Sequence, residues 1–220
     1  MLSDFDQIYL INLKKRPDRL AKWTSDNNKI VEHLSNFQTF EGIDGEICIN
    51  ENWSFSKGAL GCLESHLNII IDAQKNHYSK IIVFEDDFIF DQNFIEKFSK
   101  GYSELPHNWH LLYLFSTDYN QPISFSENLS QCTASMGTVA YCLNSSIYDT
   151  LINLLKLRIK QVDVVYAHSH YLINAYKFKE NICHHYDGYS DVINQMTTYH
   201  KKEGFLIKIK YWLKKLLYTL

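Results

Sequence analysis

Lys80 to Phe90 reads KIIVFEDDFIF, and this stretch decides the fold. Four apolar residues in a row, Ile81 to Phe84, are too few for a buried helix and suit a strand covered on both faces, as in a parallel sheet. Glu85, Asp86 and Asp87 follow directly, with a second apolar run behind them. Like charges at the end of a core strand repel one another and are costly to bury. On an extended backbone alternate residues share a face, so Glu85 and Asp87 would point together and Asp86 elsewhere. Two hard oxygen ligands facing one point suit Mg²⁺ or Mn²⁺, and such an ion could hold a diphosphate. The plainer reading is a solvated acidic turn with Asp87 or Asp91 as a helix cap.

The rest of the chain alternates strand and helix around that element. QIYLINL (Gln7 to Leu13) is a short buried strand stopped by KKRPDR, and Pro17 opens a helix over Asp18 to Asn27. FQTFEGIDG (Phe37 to Gly45) is a second strand ending in a glycine turn. Ser56 to Asn76 has helical spacing, with Ser56 as N-cap, an apolar stripe through Leu60, Leu67 and Ile70, and a second face carrying Gly58, Gly61 and Ser65. A helix over Asn93 to Glu104, a strand over Trp109 to Phe115, and a strand over Thr138 to Asn144 follow. Ser145 is then expected to cap a helix to about Leu157, and Asp163 to Ala175 to form another. Ser116 to Ser135 is polar without a period, which marks a candidate functional loop. The pattern predicts an α/β layered fold with a mainly parallel sheet.

The 220 residues suit one domain, over residues 1–200, with a short appendage at 201–220. A net charge of −3 makes nucleic acid an unsuitable partner for the whole chain. Five dispersed cysteines without a CxxC pair fit neither a disulfide framework nor a zinc knuckle, and a reducing compartment is expected. No basic region precedes the first apolar run, so a signal peptide is not expected there. FLIKIKYWLKKLLYTL at the end is basic and amphipathic at helical spacing, the pattern of a helix lying on an anionic membrane surface. Packing on the domain's own core is the alternative.

In order, IYLINLKKRPDRLAKW, FEGIDG, KGALGCLESHLNII, VFEDD, GTVAYCLN, QVDVVYAH and GYSDV resemble glycosyltransferase family 25, which includes lipooligosaccharide and collagen galactosyltransferases. The resemblance covers roughly Ile8 to Val192. It implies a GT-A (Rossmann-like) fold, a UDP-sugar donor (most often UDP-galactose), Mn²⁺ or Mg²⁺, and inversion at the sugar. It puts the acids of FEDD in the place of the metal-binding DxD motif, with Asp87 the direct ligand and Glu85 a departure from the literal motif. Inverting transfer needs a base for the acceptor hydroxyl, and the resemblance points to Asp163, with Asp118 and Asp191 as rivals and an N-cap as its structural alternative. Asn12, Arg16, Arg19, Asp44, Gly61, Ser65, His66, Glu85 and Asp86 are candidates for the donor side. Arg16 or Arg19 would pair with phosphate, with a surface charge as the alternative, and Asp44 would take uracil or ribose, with the DG turn as its alternative. His185 or its neighbour His184 is a candidate third metal ligand, with Asp187 and Asp191 as rivals, and Ser190 belongs with Asp191 to the last motif. The implied acceptor is a lipid-linked oligosaccharide at the inner face of the cytoplasmic membrane. A UDP-glucose-dependent enzyme, a metal-dependent phosphohydrolase and a non-catalytic nucleotide- or glycan-binding relative are the competing readings.

Overall fold

The computed structural model describes residues 1–186, 188–190, 192 and 195–197. In chain order the elements are β1 (Gln7–Leu13), α1 (Pro17–Asp26), α2 (Asn28–Val31), β2 (Phe37–Gly42), α3 (Lys57–Lys75), β3 (Lys80–Glu85), β4 (Phe88–Phe90), α4 (Phe94–Ser103) and β5 (Leu111–Tyr113). Then come β6 (Thr117–Asp118), β7 (Ile123–Ser124), β8 (Leu129–Gln131), β9 (Ser135–Met136), β10 (Ala140–Asn144), α5 (Tyr148–Lys156), α6 (Val162–Ser169), β11 (Ala175–Phe178), β12 (Cys183–His185), β13 (Gly188–Ser190) and β14 (Gln195–Thr197).

Eight strands form the main sheet in the order β2-β1-β3-β10-β5-β11-β8-β7. β1 pairs in parallel with β2 and β3, and β5 with β11. β10 runs antiparallel between β3 and β5 and joins these two parallel groups. The expected α/β fold, a mainly parallel sheet flanked by helices, is what the chain forms, with β10, β8 and β7 adding antiparallel pairs. The continuous apolar run in β3 has the anticipated cause. Ile81 and Val83 enter a layer with Leu63, Leu67 and Ile70 of α3 and Leu151 of α5, while Ile82 and Phe84 enter the opposite layer with Trp23, Phe94 and Phe98. With both faces covered, no polar residue is tolerated inside the strand.

Trp23 anchors the second layer. It is fully buried, stacks on Phe37 with ring centroids 5.8 Å apart and an interplanar angle of 6°, and meets Phe88 and Phe90 edge-on. Trp23→Ala is expected to cost about 3–5 kcal/mol through lost burial and the cavity left behind, read as a lowered urea midpoint. A cost under about 1 kcal/mol would mean that this layer collapses to fill the space.

Three departures from the sequence expectation have a clear physical cause. The helix placed at Asp163 to Ala175 ends at Ser169, because Ala175 joins the sheet beside β5 and the backbone N–H of His110 donates to Asn174 O. The turn before α5 is capped by Asn144, whose side chain accepts from the Ser146 N–H at 3.1 Å, and not by Ser145. The polar segment after Ser116 contains β6 to β9, strands of two or three residues that are too short to show an alternating pattern.

Candidate active site

The carboxyl ends of β1, β2 and β3 open into a cleft of about 290 Å³, lined among others by Lys15, Arg19, Asp44, His66, Asp86 and Asp87. Ligands of open α/β sheets bind at strand ends of this kind. The three acids all line this cleft, so the expectation that Asp86 turns away is corrected. β3 ends at Glu85, and the alternation of an extended backbone stops with it.

Each acid has a different environment. Glu85 Oε1 accepts from Thr138 Oγ1 at 2.9 Å and lies 3.2 Å from His66 Nε2. Burial works to raise its pKa, but His66 and Thr138 outweigh burial and hold it below the usual glutamate value. Asp86 accepts from Asn12 Nδ2 at 2.5 Å and pairs with Arg19 at 2.5 Å. Its burial still pushes the pKa up to about 6. Asp87 is raised by burial and by the Glu85 charge, against His185 and Arg19. Its Oδ2 is 3.2 Å from Arg19, while its Oδ1 is buried without a hydrogen-bond partner among the described residues and lies 3.8 Å from His185 Nδ1. The antiparallel pairing of β4 with β12 sets His185 opposite Phe88, and so brings it to Asp87. An acidic oxygen with no donor, next to an imidazole nitrogen and near a second carboxylate, fits a divalent cation. Asp87 and His185 flank that oxygen, whereas the three metal-type ligands whose atoms converge within 4.8 Å among the described residues are Cys62, His66 and Glu85.

The glycine-rich segments serve the scaffold of the cleft. A Cβ on Gly61 would sit 2.5 Å from both Gly45 N and Ile43 O, and one on Gly45 only 1.8 Å from Lys57 O. Backbone meets backbone here, so α3 is pressed against the loop after β2. Ser65 Oγ locks that contact, accepting from the Ile43 N–H at 2.8 Å and donating to Gly61 O at 2.7 Å. Gly61→Ala is expected to lose about 1–3 kcal/mol from overpacking, read by denaturant unfolding. An unchanged midpoint would show that the loop moves away freely. Asp44 heads this loop, accepting from the Glu46 N–H at 3.1 Å and pairing with Lys15 at 2.7 Å.

Asp163 lies in the first turn of α6, where it accepts from the Val164 N–H at 2.8 Å. Gln161 is the N-cap residue of this helix. Burial first, then the Glu85 charge, raise the Asp163 pKa, so this acid is near enough to the cluster to feel it. Ser190 lines the cleft and Val192 O accepts from Ser56 Oγ at the head of α3. Arg16 and Asp118 are not among the residues that line the cleft. Arg16 pairs with Asp18 at 2.9 Å, and Asp118 is held by Lys177 at 2.6 Å and Ser135 Oγ at 2.7 Å. His184 is exposed beside Asp91 at 3.5 Å, opposite in direction to His185 as adjacent strand residues must be. Asp187, Asp191 and the segment 201–220 lie outside the described residues.

The sequence reading gave no role to Thr138, Tyr141, Lys15 or Cys62. Thr138 and Tyr141 belong to the GTVAY segment, which β10 brings alongside β3, and Tyr141 OH lies 2.7 Å from His66 Nδ1. The signal that could have found them was the motif itself.

The sheet and its strand-end cleft define an α/β protein with a polar cleft lined by both acids and bases. The family profile described as "Glycosyltransferase family 25 (LPS biosynthesis protein)" matches residues 5–166, and the chain belongs to that family. Similar curated proteins include a mimivirus "Procollagen lysyl hydroxylase and glycosyltransferase", 30% identical over 138 residues that cover 51% of this chain and 15% of the relative. Another is the rat "Probable inactive glycosyltransferase 25 family member 3", 27% identical over 135 residues, 50% of this chain and 22% of the relative. Mouse "Procollagen galactosyltransferase 2" is 24% identical over 131 residues, 50% and 20% of the two chains. The chain thus spans about a fifth or less of the length of these relatives. Among solved structures, a glycosyltransferase involved in glycosylation of the major capsid of PBCV-1 aligns with a TM-score of 0.41 at 13% identity, covering 69% of this chain and 66% of that one.

Proposed function

We propose that this chain is an inverting, divalent-metal-dependent hexosyltransferase that moves galactose from UDP-galactose to a lipooligosaccharide or lipopolysaccharide glycan. The observation that carries the reading is the convergence of Glu85, Asp86, Asp87, Arg19 and His66 in one cleft at the strand ends. Family membership supports sugar transfer, the lipopolysaccharide wording of the family description supports the acceptor, and the galactosyltransferase among the relatives supports the donor. UDP-glucose is the alternative donor, differing at one hydroxyl.

In this reading Asp163 accepts the proton of the acceptor hydroxyl. The acceptor oxygen then bonds to the anomeric carbon while the bond to the diphosphate breaks, and UDP leaves with the electron pair. Lys15 and Arg19 place positive charge beside the departing diphosphate, and Asp44 faces the ribose or uracil. A bound Mn²⁺ or Mg²⁺ would neutralise charge on the leaving group. Asp87, Glu85 and His185 would be its ligands. Among the described residues no helix is long and apolar enough to cross a membrane. Surface contact through the basic segment 201–220, at the inner face of the cytoplasmic membrane, is part of this proposal.

One observation favours a second reading. Arg19 already bridges Asp86 and Asp87, a charge arrangement that needs no metal, and some relatives are named inactive. A non-catalytic nucleotide-binding relative would have such a site. UDP release from a panel of UDP-sugars with Mn²⁺ and purified lipooligosaccharide, followed by linkage analysis of the product, separates the two. Release with UDP-galactose supports the transferase, and no release from any donor removes it.

A further inference from the structure

Cys62 and His66 stand one turn apart on α3, so their side chains leave one face of the helix. Cys62 Sγ, a ring nitrogen of His66 and a carboxylate oxygen of Glu85 lie within 4.8 Å of one another, and all three residues line the cleft. The geometry points to a second cation site here, for Zn²⁺ or another thiophilic divalent ion, chemically distinct from the oxygen-rich seat at Asp87.

The donor set decides the ion. Thiolate, imidazole and carboxylate are the ligands of zinc, whereas Mg²⁺ and Mn²⁺ favour oxygen and gain little from sulfur. Three protein ligands leave a fourth position, and the cleft supplies the approach to it. His66 has the outer support that metal-bound histidines use. Its Nδ1 is 2.7 Å from Tyr141 OH, which in turn lies 3.3 Å from Tyr166 OH. When Nδ1 carries the proton and donates to Tyr141, Nε2 turns a lone pair toward Glu85 Oε1 at 3.2 Å. Two acceptors at that distance require a cation between them. When Tyr141 donates instead, a proton on Nε2 fills the gap. The pair therefore holds either a proton or a metal, and the tyrosine hydroxyl adjusts to both.

Binding involves no redox change. The Cys62 thiol gives its proton to solvent, the thiolate sulfur bonds to the ion, and the His66 proton resides on Nδ1. Burial and then the charges of Glu85, Asp163 and Asp87 hold the free thiol well above its ordinary pKa, so the ion must displace that proton and binding strengthens as pH rises. Glu85 is shared with the proposed transferase seat, so zinc would compete there. Only that consequence rests on the transferase reading; the binding does not.

Co²⁺ titration of the full metal-free chain tests this without any activity assay. The expected result is a thiolate-to-cobalt charge-transfer band that saturates at one Co²⁺ per chain, is displaced by equimolar Zn²⁺ and is retained under excess Mn²⁺. Cys62→Ser should abolish the band, and Tyr141→Phe should keep the band while weakening binding by about 10–100-fold. Absence of the band in the native chain, its persistence in Cys62→Ser, or its loss to Mn²⁺ would overturn the proposal. Should Cys62→Ser fail to fold by circular dichroism, the native titration and Tyr141→Phe still decide.

Discussion

Asp87→Ala is expected to lower UDP release from UDP-galactose by about 100- to 1,000-fold, the scale seen when a group stabilising transition-state charge is removed. Far-UV circular dichroism should stay native. The argument rests on one oxygen. Asp87 Oδ1 is buried with no hydrogen-bond partner among the described residues, and burial together with Glu85 raises the pKa of its carboxyl. Arg19 offsets part of the Asp87 charge, and a divalent cation beside Asp87 Oδ1 and His185 would offset more of it. Without Asp87 the cleft loses that oxygen, and Glu85, bonded to Thr138 and His66, is left as the carboxylate of the proposed seat. A loss smaller than tenfold would move the metal away from this seat.

Asp163→Asn is expected to lower kcat by about 100- to 10,000-fold, the range for a lost general base, with the KM for the donor nearly unchanged. Amide and carboxylate have the same shape, and the asparagine oxygen still accepts from the Val164 N–H, so the helix start survives. The pH profile separates this role from a structural one. A base works only when ionised. Burial and the Glu85 charge raise the Asp163 pKa above the ordinary aspartate value, so its ionised fraction, and with it the rate, should rise with pH through a region above about 3.9. Full activity in Asp163→Asn would pass the proton to another acid, and Asp191 would then be the first to replace.

Much of this was legible in the sequence because its causes are local. The apolar run Ile81 to Phe84 demanded two covered faces and has them. Ser56 caps α3 as its position required, accepting from the Ala59 N–H at 3.1 Å. The ordered motifs placed the chain in its family. What was not legible depends on partners far apart in the chain. Arg19 reaches Asp86 and Asp87 across 67 and 68 positions (86 − 19 and 87 − 19), and no local pattern records that distance. His185 comes to Asp87 only through the pairing of two three-residue strands. Asp118 was a rival candidate for the base, and Lys177 from β11 pairs with it. Gly61 and Ser65 were open to ligand or backbone contact: Gly61 lets α3 approach the loop after β2, and Ser65 bonds that loop while also lining the cleft.

The central claim is that the strand-end acids hold a nucleotide through a shared divalent cation. Calorimetric titration of UDP into the native chain and into Asp87→Ala, each with Mn²⁺ and with chelator, tests it most directly. The account predicts UDP binding that needs Mn²⁺ in the native chain and is lost in Asp87→Ala. Equal UDP affinity with chelator, or unchanged Mn²⁺-dependent binding in Asp87→Ala, would contradict it.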